Sequence, residues 1–562
     1  MKLHNIWGYG QLFGLSALDG KNDYFNDFIG MSTAKEIEIR FEFKEWIKVD
    51  FSGDKKVNLI AFMSDIIQAE TPDGEITVIF ADGDTVVGCS PVLPSFTGEF
   101  GLEVTNDGNS TVYANRFDAL ALKYEKREGV YHFILRHAQK GEQALADIRD
   151  YPFADLENLK KQKYAYYEAM PKCKNPKYER LYYKALSINK VNVRTAQGRI
   201  PCVWTTPNRV PHRHMWLWDS VFHALAMVNY NPEIAKSAIH AVITQIQPDG
   251  FMPHCANPGD ISHVTQPQVL AWGTWEVYKK TGDKTFLREQ VDVLERYLDW
   301  ATVNRDINGN GLLEWLVDPT DPTNRCDESG WDNSPRFDFD EPMDAVDFST
   351  FFAHDALYLS YIFKELGETE KAEKWNTLYE KTKKAVNDYL WDEEIGVYSD
   401  RLFSGQFSRV ITPAAFLPLF ASIPSKEQAE KMVKQLVRED LLWTKVPLST
   451  VAKSHPTYSN DMWRGGVWLN LNYFIIKGLK NYGYDDLAQE LIDKTLNTVH
   501  KWYKEKGTIF EFFDSADETA PYLCVRKNKV LNPPDWRKHQ HAVTDFNWSA
   551  CFTLLFIQND LY

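Results

Sequence analysis

Apolar and polar positions alternate between residues 35 and 51, where Ile37, Ile39, Phe41 and Phe43 are set between Glu36, Glu38, Arg40, Glu42 and Lys44. A period of two turns one face to a core and the other to water, which predicts a strand. Runs at 57–62, 76–80 and 131–136 read the same way, with turns marked by Asp73-Gly74 and Asp82-Gly83. Several short strands at this spacing predict an antiparallel β-sandwich over residues 1–140. From 141 to 175 the sequence becomes charged and helical in character, broken at Pro152, and predicts a linker into a second domain at 176–562.

In that second domain the period changes. Apolar residues recur every three or four positions at 180–188, 220–227, 233–245, 266–281, 283–303, 348–366, 369–390, 426–438, 467–482, 485–504 and 547–557. The chain is therefore mainly α. About a dozen helices in successive hairpins is the number an (α/α)6 barrel requires, although helical repeats give the same number.

Composition narrows the function. The net charge of −15 over 562 residues argues against nucleic acid and anionic membrane as partners. No apolar run reaches the length of a membrane span, and the first ten residues lack the apolar stretch of a signal peptide. Seven scattered cysteines, odd in number and without a C-x-x-C pair, suit a reducing compartment. A cytoplasmic enzyme is the expectation. The aromatic share is high, at 14% with 18 tryptophans. Tryptophans beside acids and arginines suit sugars, whose C–H faces stack on rings while charged groups take the hydroxyls.

Five aromatic-polar stretches separate the predicted helices. They are Arg213-His214-Met215-Trp216-Leu217-Trp218-Asp219-Ser220; 247–254 with Thr265-Gln266-Pro267-Gln268; Glu328-Ser329-Gly330-Trp331-Asp332-Asn333-Ser334-Pro335-Arg336; 458–468 with Trp463-Arg464-Gly465-Gly466-Val467-Trp468; and Ile509-Phe510-Glu511-Phe512-Phe513-Asp514, followed by Asp545-Phe546-Asn547-Trp548. Each alone could be core or a solvated turn. Loops of one helical domain that repeat one chemical vocabulary point to a common concave site. Gly330 and Pro335 keep the third stretch out of a helix or central strand. There Trp331 offers an apolar neighbour to Asp332, a setting that raises a carboxyl pKa toward what a general acid needs.

Ser329-Gly330-Trp331-Asp332-Asn333-Ser334-Pro335-Arg336, Trp463-Arg464-Gly465-Gly466-Val467-Trp468-Leu469-Asn470 and Phe510-Glu511-Phe512 resemble glycoside hydrolase family 63, over about residues 200–562. That family includes processing α-glucosidase I, bacterial α-glucosidases and mannosylglycerate hydrolases; family 37 trehalases are more distantly similar. One departure is Gly466, where family members often carry proline. The resemblance implies an (α/α)6 barrel and an inverting mechanism, with Asp332 as general acid and Glu511 as general base. Inversion places the two carboxyl groups about 6.5–9.5 Å apart to admit a water. It also implies that Trp216, Trp218, Asp219, Gln266, Trp331, Arg464, Gly465, Trp468 and Trp548 line the subsite of the sugar being released. Asp338, Asp340, Glu341, Asp344 and Asp347 read as a solvated or positioning run, and Asp514 competes with Glu511 for the role of base.

Asp306, Asn308 and Asn310, with the Leu312 carbonyl and Glu314, set oxygen donors at every second position. This resembles the front of a calcium loop, although Glu314 comes too early for an EF-hand; some family 63 members bind calcium in such a loop. A structural calcium and no organic cofactor are expected. The substrate expected is a small α-linked disaccharide or oligosaccharide, an α-glucoside first. The alternatives are an α-mannoside such as mannosylglycerate, or trehalose. Outside hydrolases, an epimerase or isomerase would use histidines (His254, His263, His354, His455), and a carbohydrate-binding protein would need no acid–base pair.

Overall fold

The computed structural model describes residues 11–32, 37–527 and 541–561. Contacts divide the chain into two units. The first takes the chain up to residue 197, together with 208–212 and 500–509, and the second takes the remainder.

The first unit carries two antiparallel sheets. One has five strands, in the order Leu12–Gly14, Ile29–Ser32, Glu38–Phe41, Ile47–Asp50 and Ser95–Gly98. The other has eight, in the order Glu103–Asp107, Ser110–Ala114, Ala119–Arg127, Val130–Ala138, Thr85–Ser90, Gly74–Asp82, Ile66–Thr71 and Asn58–Phe62. Their apolar faces meet through Phe13 on Phe80, with centroids 4.8 Å apart, and Phe51 on Phe133, 5.4 Å apart. This is the expected sandwich. The alternating run at 35–51 is not one strand, however. It is a hairpin in which Phe41 pairs with Ile47 and Glu38 with Asp50. The intervening turn has an odd number of residues, so odd positions on both sides face the core, and the period of two survives the reversal. Residues 35 and 36 of that run lie outside the described residues.

Helices Gly141–Arg149 and Leu156–Glu168 follow, with Pro152 between them. The units divide at 197 rather than near 176, because the helix Glu179–Val191 belongs to the first. Its buried Lys190 ammonium is 2.7 Å from Asp65 and 2.9 Å from Asp19, and Lys184 reaches Gln11 at 2.9 Å. Buried charges are tolerated only when paired, so these contacts fix the helix to the sheets.

The second unit is the (α/α)6 barrel. Six helical segments pack in a closed ring: Leu217–Met227, Leu270–Thr281, Val346–Glu365, Pro413–Leu419, Leu469–Asn481 and Asn547–Gln558, the last returning to the first. Around them lie Pro232–Ile243, Lys284–Asn304, Thr369–Ala385, Lys426–Leu436 and Asp485–Lys506. The division follows polarity. Leu217–Met227 and Asn547–Gln558 are buried at every position, as inner helices must be. Lys284–Asn304 buries one stripe, including Leu287, Val291, Leu294 and Leu298. Pro413–Leu419, a 3-10 segment, was not foreseen. Among the described residues no helix is long and apolar enough to cross a membrane.

Candidate active site

The aromatic-polar stretches stand at the N-terminal ends of inner helices. Trp216 precedes Leu217–Met227, Trp468 precedes Leu469–Asn481, and Phe546 precedes Asn547–Gln558. Asp332 lies in the loop leading into Val346–Glu365, and Glu511 in the loop between Asp485–Lys506 and Asn547–Gln558. One run of rings joins them. Trp331 stacks on Trp463 at 5.3 Å, Trp463 on Trp468 at 4.0 Å, and Trp468 on Phe512 at 5.2 Å. Trp548 meets Trp468 and Trp218 edge-on at 5.4 and 5.5 Å. Gly330 closes this run onto Trp218. Its φ is 75°, and a Cβ there would come within 2.5 Å of the indole, so only glycine fits.

Hydrogen bonds fix the loops to one another. Asn333 donates to Asp461 at 3.1 Å and accepts from the Trp463 N–H at 3.2 Å. Val467 pairs with Phe513 in a short antiparallel ladder, which holds the Glu511 loop beside Trp463-Arg464-Gly465. Arg336 is fully buried between Asp347 and Asp400, at 2.7 and 2.8 Å, and anchors the Asp332 loop from below.

The two candidate carboxylates sit differently. Glu511 is buried, and its Oε2 pairs with Arg526 and accepts the Val543 N–H at 3.2 Å. The Asp332 side chain keeps 16% exposure and lies 2.7 Å from the Lys527 ammonium. The greasy surround expected for Asp332 from Trp331 is therefore not what the fold supplies, because Trp331 faces Trp463 and a cation meets the carboxylate. Arg526 and Lys527 are consecutive, so one dipeptide touches both candidate carboxylates. Asp219, in the first turn of Leu217–Met227, is buried close to Glu511. Burial drives its carboxyl well above the ordinary range, and the Glu511 charge adds to this.

The competing acids are engaged elsewhere. Asp514 accepts three backbone N–H groups, from Ala516, Glu518 and Thr519. Asp338 holds Arg464 through two bonds of 2.8 and 2.9 Å, Asp340 holds Arg325, and Glu341 accepts from Ser404. Asp347 and Asp344 are buried, contrary to a solvated reading. Of the expected sugar-lining residues, Gln266 accepts the Trp218 N–H at 3.1 Å, and Gly465 takes a φ of 143° that lets its backbone pass Ser459. Trp216 meets His254 edge-on at 4.8 Å, and burial holds that imidazole below its ordinary range. Sequence reasoning missed Arg526, Lys527 and Asp461. Arg526-Lys527-Asn528-Lys529 looks like a solvated basic run, and its partners are remote in sequence.

The proposed calcium loop folds around a residue not foreseen. Asn308 and Asn310 donate to Asp344 at 2.9 and 3.0 Å. Burial, then Asp344 and Asp306, push the Glu314 carboxyl up to about 8. Among the described residues no cluster of three or more His, Cys, Asp or Glu side chains is already set for a metal. Yet one oxygen each of Asp306 and Glu314 is buried without a hydrogen-bond partner. Crowded, unpartnered oxygens of this kind suit a hard cation.

A family model described as mannosylglycerate hydrolase MGH1-like glycoside hydrolase domain matches residues 212–549. An uncharacterized protein of Borreliella burgdorferi is 27% identical over 265 residues, 46% of this chain, which spans about half (53%) of that protein's length. A mannosylglycerate hydrolase of Rubrobacter radiotolerans is 25% identical over 400 residues, covering 55% of this chain and 88% of that one. The crystal structure of a family 63 mannosylglycerate hydrolase from Thermus thermophilus, in complex with Tris, superposes with a TM-score of 0.54 at 22% identity, covering 66% of this chain and 99% of that one.

Proposed function

This chain belongs to the mannosylglycerate hydrolase MGH1-like group of glycoside hydrolase family 63, and from that premise we propose that it hydrolyses a small α-mannoside of the mannosylglycerate kind with inversion. The observation that carries the reading is the pair Asp332 and Glu511, set on separate loops of one tryptophan-lined site and touched by adjacent residues of one segment. The sequence favoured an α-glucoside, on family breadth alone. Relatives bearing the name mannosylglycerate hydrolase support the alternative.

Asp332, the more exposed carboxyl, gives a proton to the glycosidic oxygen as the bond to the anomeric carbon breaks. Glu511 takes a proton from the water that attacks that carbon from the opposite face. Arg526 serves as counterion to the carboxylate that a base must carry. Burial favours the protonated form of Asp219, which can both give and accept hydrogen bonds with sugar hydroxyls. This reaction needs no organic cofactor. Calcium held by Asp306, Asn308, Asn310, Leu312 and Glu314, with Asp344, would brace the loop entering Val346–Glu365 and take no part in the chemistry.

The test is a panel of α-mannosides and α-glucosides, with mannosylglycerate, glucosylglycerate and trehalose included, assayed for released sugar. Turnover of mannosylglycerate above the rest is expected. Preference for a neutral α-glucoside or trehalose would overturn the substrate assignment, and no release from any of them would overturn the hydrolase.

A further inference from the structure

We propose that Lys527 reads the charge of the leaving group, its ammonium passing from Asp332 to a carboxylate on the aglycone. This rests on the reading of Asp332 as the general acid. The ammonium is 2.7 Å from Asp332 Oδ2 and 3.1 Å from Asn324 Oδ1. The Lys527 backbone N–H donates to Asp461 at 2.8 Å, and Asp461 also holds Asn333, the residue after the acid. The lysine is thus mounted on the same support as the acid it touches. It adopts a φ of 52°, a left-handed conformation that a non-glycine residue takes at some cost.

The choice of partner sets this cation apart. Among the described residues, Arg305, Arg325, Arg336 and Arg464 around the acid loop are each paired with a carboxylate given no part in the reaction, and Arg526 is paired with the base Glu511. Lys527 is paired with the acid itself. A general acid must carry its proton at the moment it acts, and a protonated Asp332 no longer balances the ammonium. Among the described residues the ammonium then has no carboxylate in contact with it beside the leaving oxygen, only the more distant charge of Asp321, which is costly unless the substrate supplies a partner. A carboxylate on the carbon chain of the aglycone fits this demand. It frees Asp332 Oδ2 to face the glycosidic oxygen and leaves no charge unbalanced. A neutral aglycone offers neither benefit.

Lys527→Met keeps the length of the side chain and removes the charge. Wild type and variant are compared on α-mannosyl-D-glycerate and on its neutral counterpart α-mannosyl-glycerol. The variant should lose about 10- to 100-fold in kcat/KM on the anionic substrate, the worth of one hydrogen bond to a charged group. On the neutral one the loss should be clearly smaller, and Lys527→Arg should recover part of the loss on the anionic substrate. Equal losses on both substrates would overturn the proposal and leave Lys527 as a positioning residue for Asp332.

A binding measurement separates this claim from the hydrolase reading. D-glycerate alone is titrated calorimetrically, with glycerol as the neutral control. Glycerate should bind wild type, bind Asp332→Asn more tightly because the lysine has lost its partner, and fail to bind Lys527→Met. Equal affinity for wild type and Lys527→Met overturns the proposal. Binding through Lys527 without hydrolysis of any glycoside upholds the anion site and overturns the proposed function. Hydrolysis of neutral glycosides with no glycerate binding does the reverse.

Discussion

At the scale of the residue, Asp332 and Glu511 differ in what they balance. Asp332→Asn and Glu511→Gln should each lower kcat by about 10²- to 10⁴-fold, the usual worth of one general acid or base. Their stabilities should part. Glu511 is buried against Arg526, so Glu511→Gln breaks a buried ion pair and should lower the Tm. Asp332 is partly exposed, and Asp332→Asn should leave the Tm nearly unchanged. Thermal unfolding of the two variants checks this, and equal losses would contradict it. Asp219 gives a pH test. Unfolded aspartate releases its proton above about pH 4, whereas folded Asp219 holds it. The folded state therefore binds the extra proton, and its stability falls as pH rises from that point. Asp219→Asn removes the dependence, so its Tm should exceed that of wild type at pH 7, with the gap closing toward pH 4. A gap that widens on acidification would have the wrong sign. Asp332 and Glu511 stand out in the sequence through the motifs that resemble family 63 and the rings beside them. Arg526 and Lys527 do not, since a short basic run says nothing of partners brought to it only by folding.

At the scale of the element, the outer helices declared themselves through a single apolar stripe, and the inner ones through near-continuous apolar sequence. Pro413–Leu419 escaped because Pro418, inside the segment, interrupts an α-helical pattern, although the segment completes the ring. Its fit depends on Gly478 in Leu469–Asn481. A Cβ there would lie 2.7 Å from the Leu419 Cβ and 3.0 Å from the Phe420 nitrogen. Replacing a helical glycine with alanine ordinarily gains about 1 kcal/mol. Here overpacking, about 1–3 kcal/mol, should win, and Gly478→Ala should lower the Tm; a higher Tm would show that the ring has slack. The calcium loop is legible in its alternating oxygens but not in Asp344, which lies beyond the acid loop. Calcium at a hundred times its Kd should stabilise by about 2.7 kcal/mol, read as a rise in Tm that a chelator reverses and Glu314→Gln abolishes. A Tm indifferent to calcium would remove the metal.

At the scale of the whole molecule, period two followed by period 3.6 divided the sequence into sandwich and barrel. The boundary was missed because Glu179–Val191 has the pattern of a barrel helix, while its lysines find their partners in Asp65, Asp19 and Gln11 of the first unit. Family membership and barrel place the chain among glycoside hydrolases, but neither distinguishes glucose from mannose, because that choice rests on hydroxyl contacts that no spacing encodes. Inversion by Asp332 and Glu511 is read from the anomer released by hydrolysis of α-mannosylglycerate, followed by NMR before mutarotation. β-Mannose is expected as the first product; α-mannose would contradict the water-activating role of Glu511.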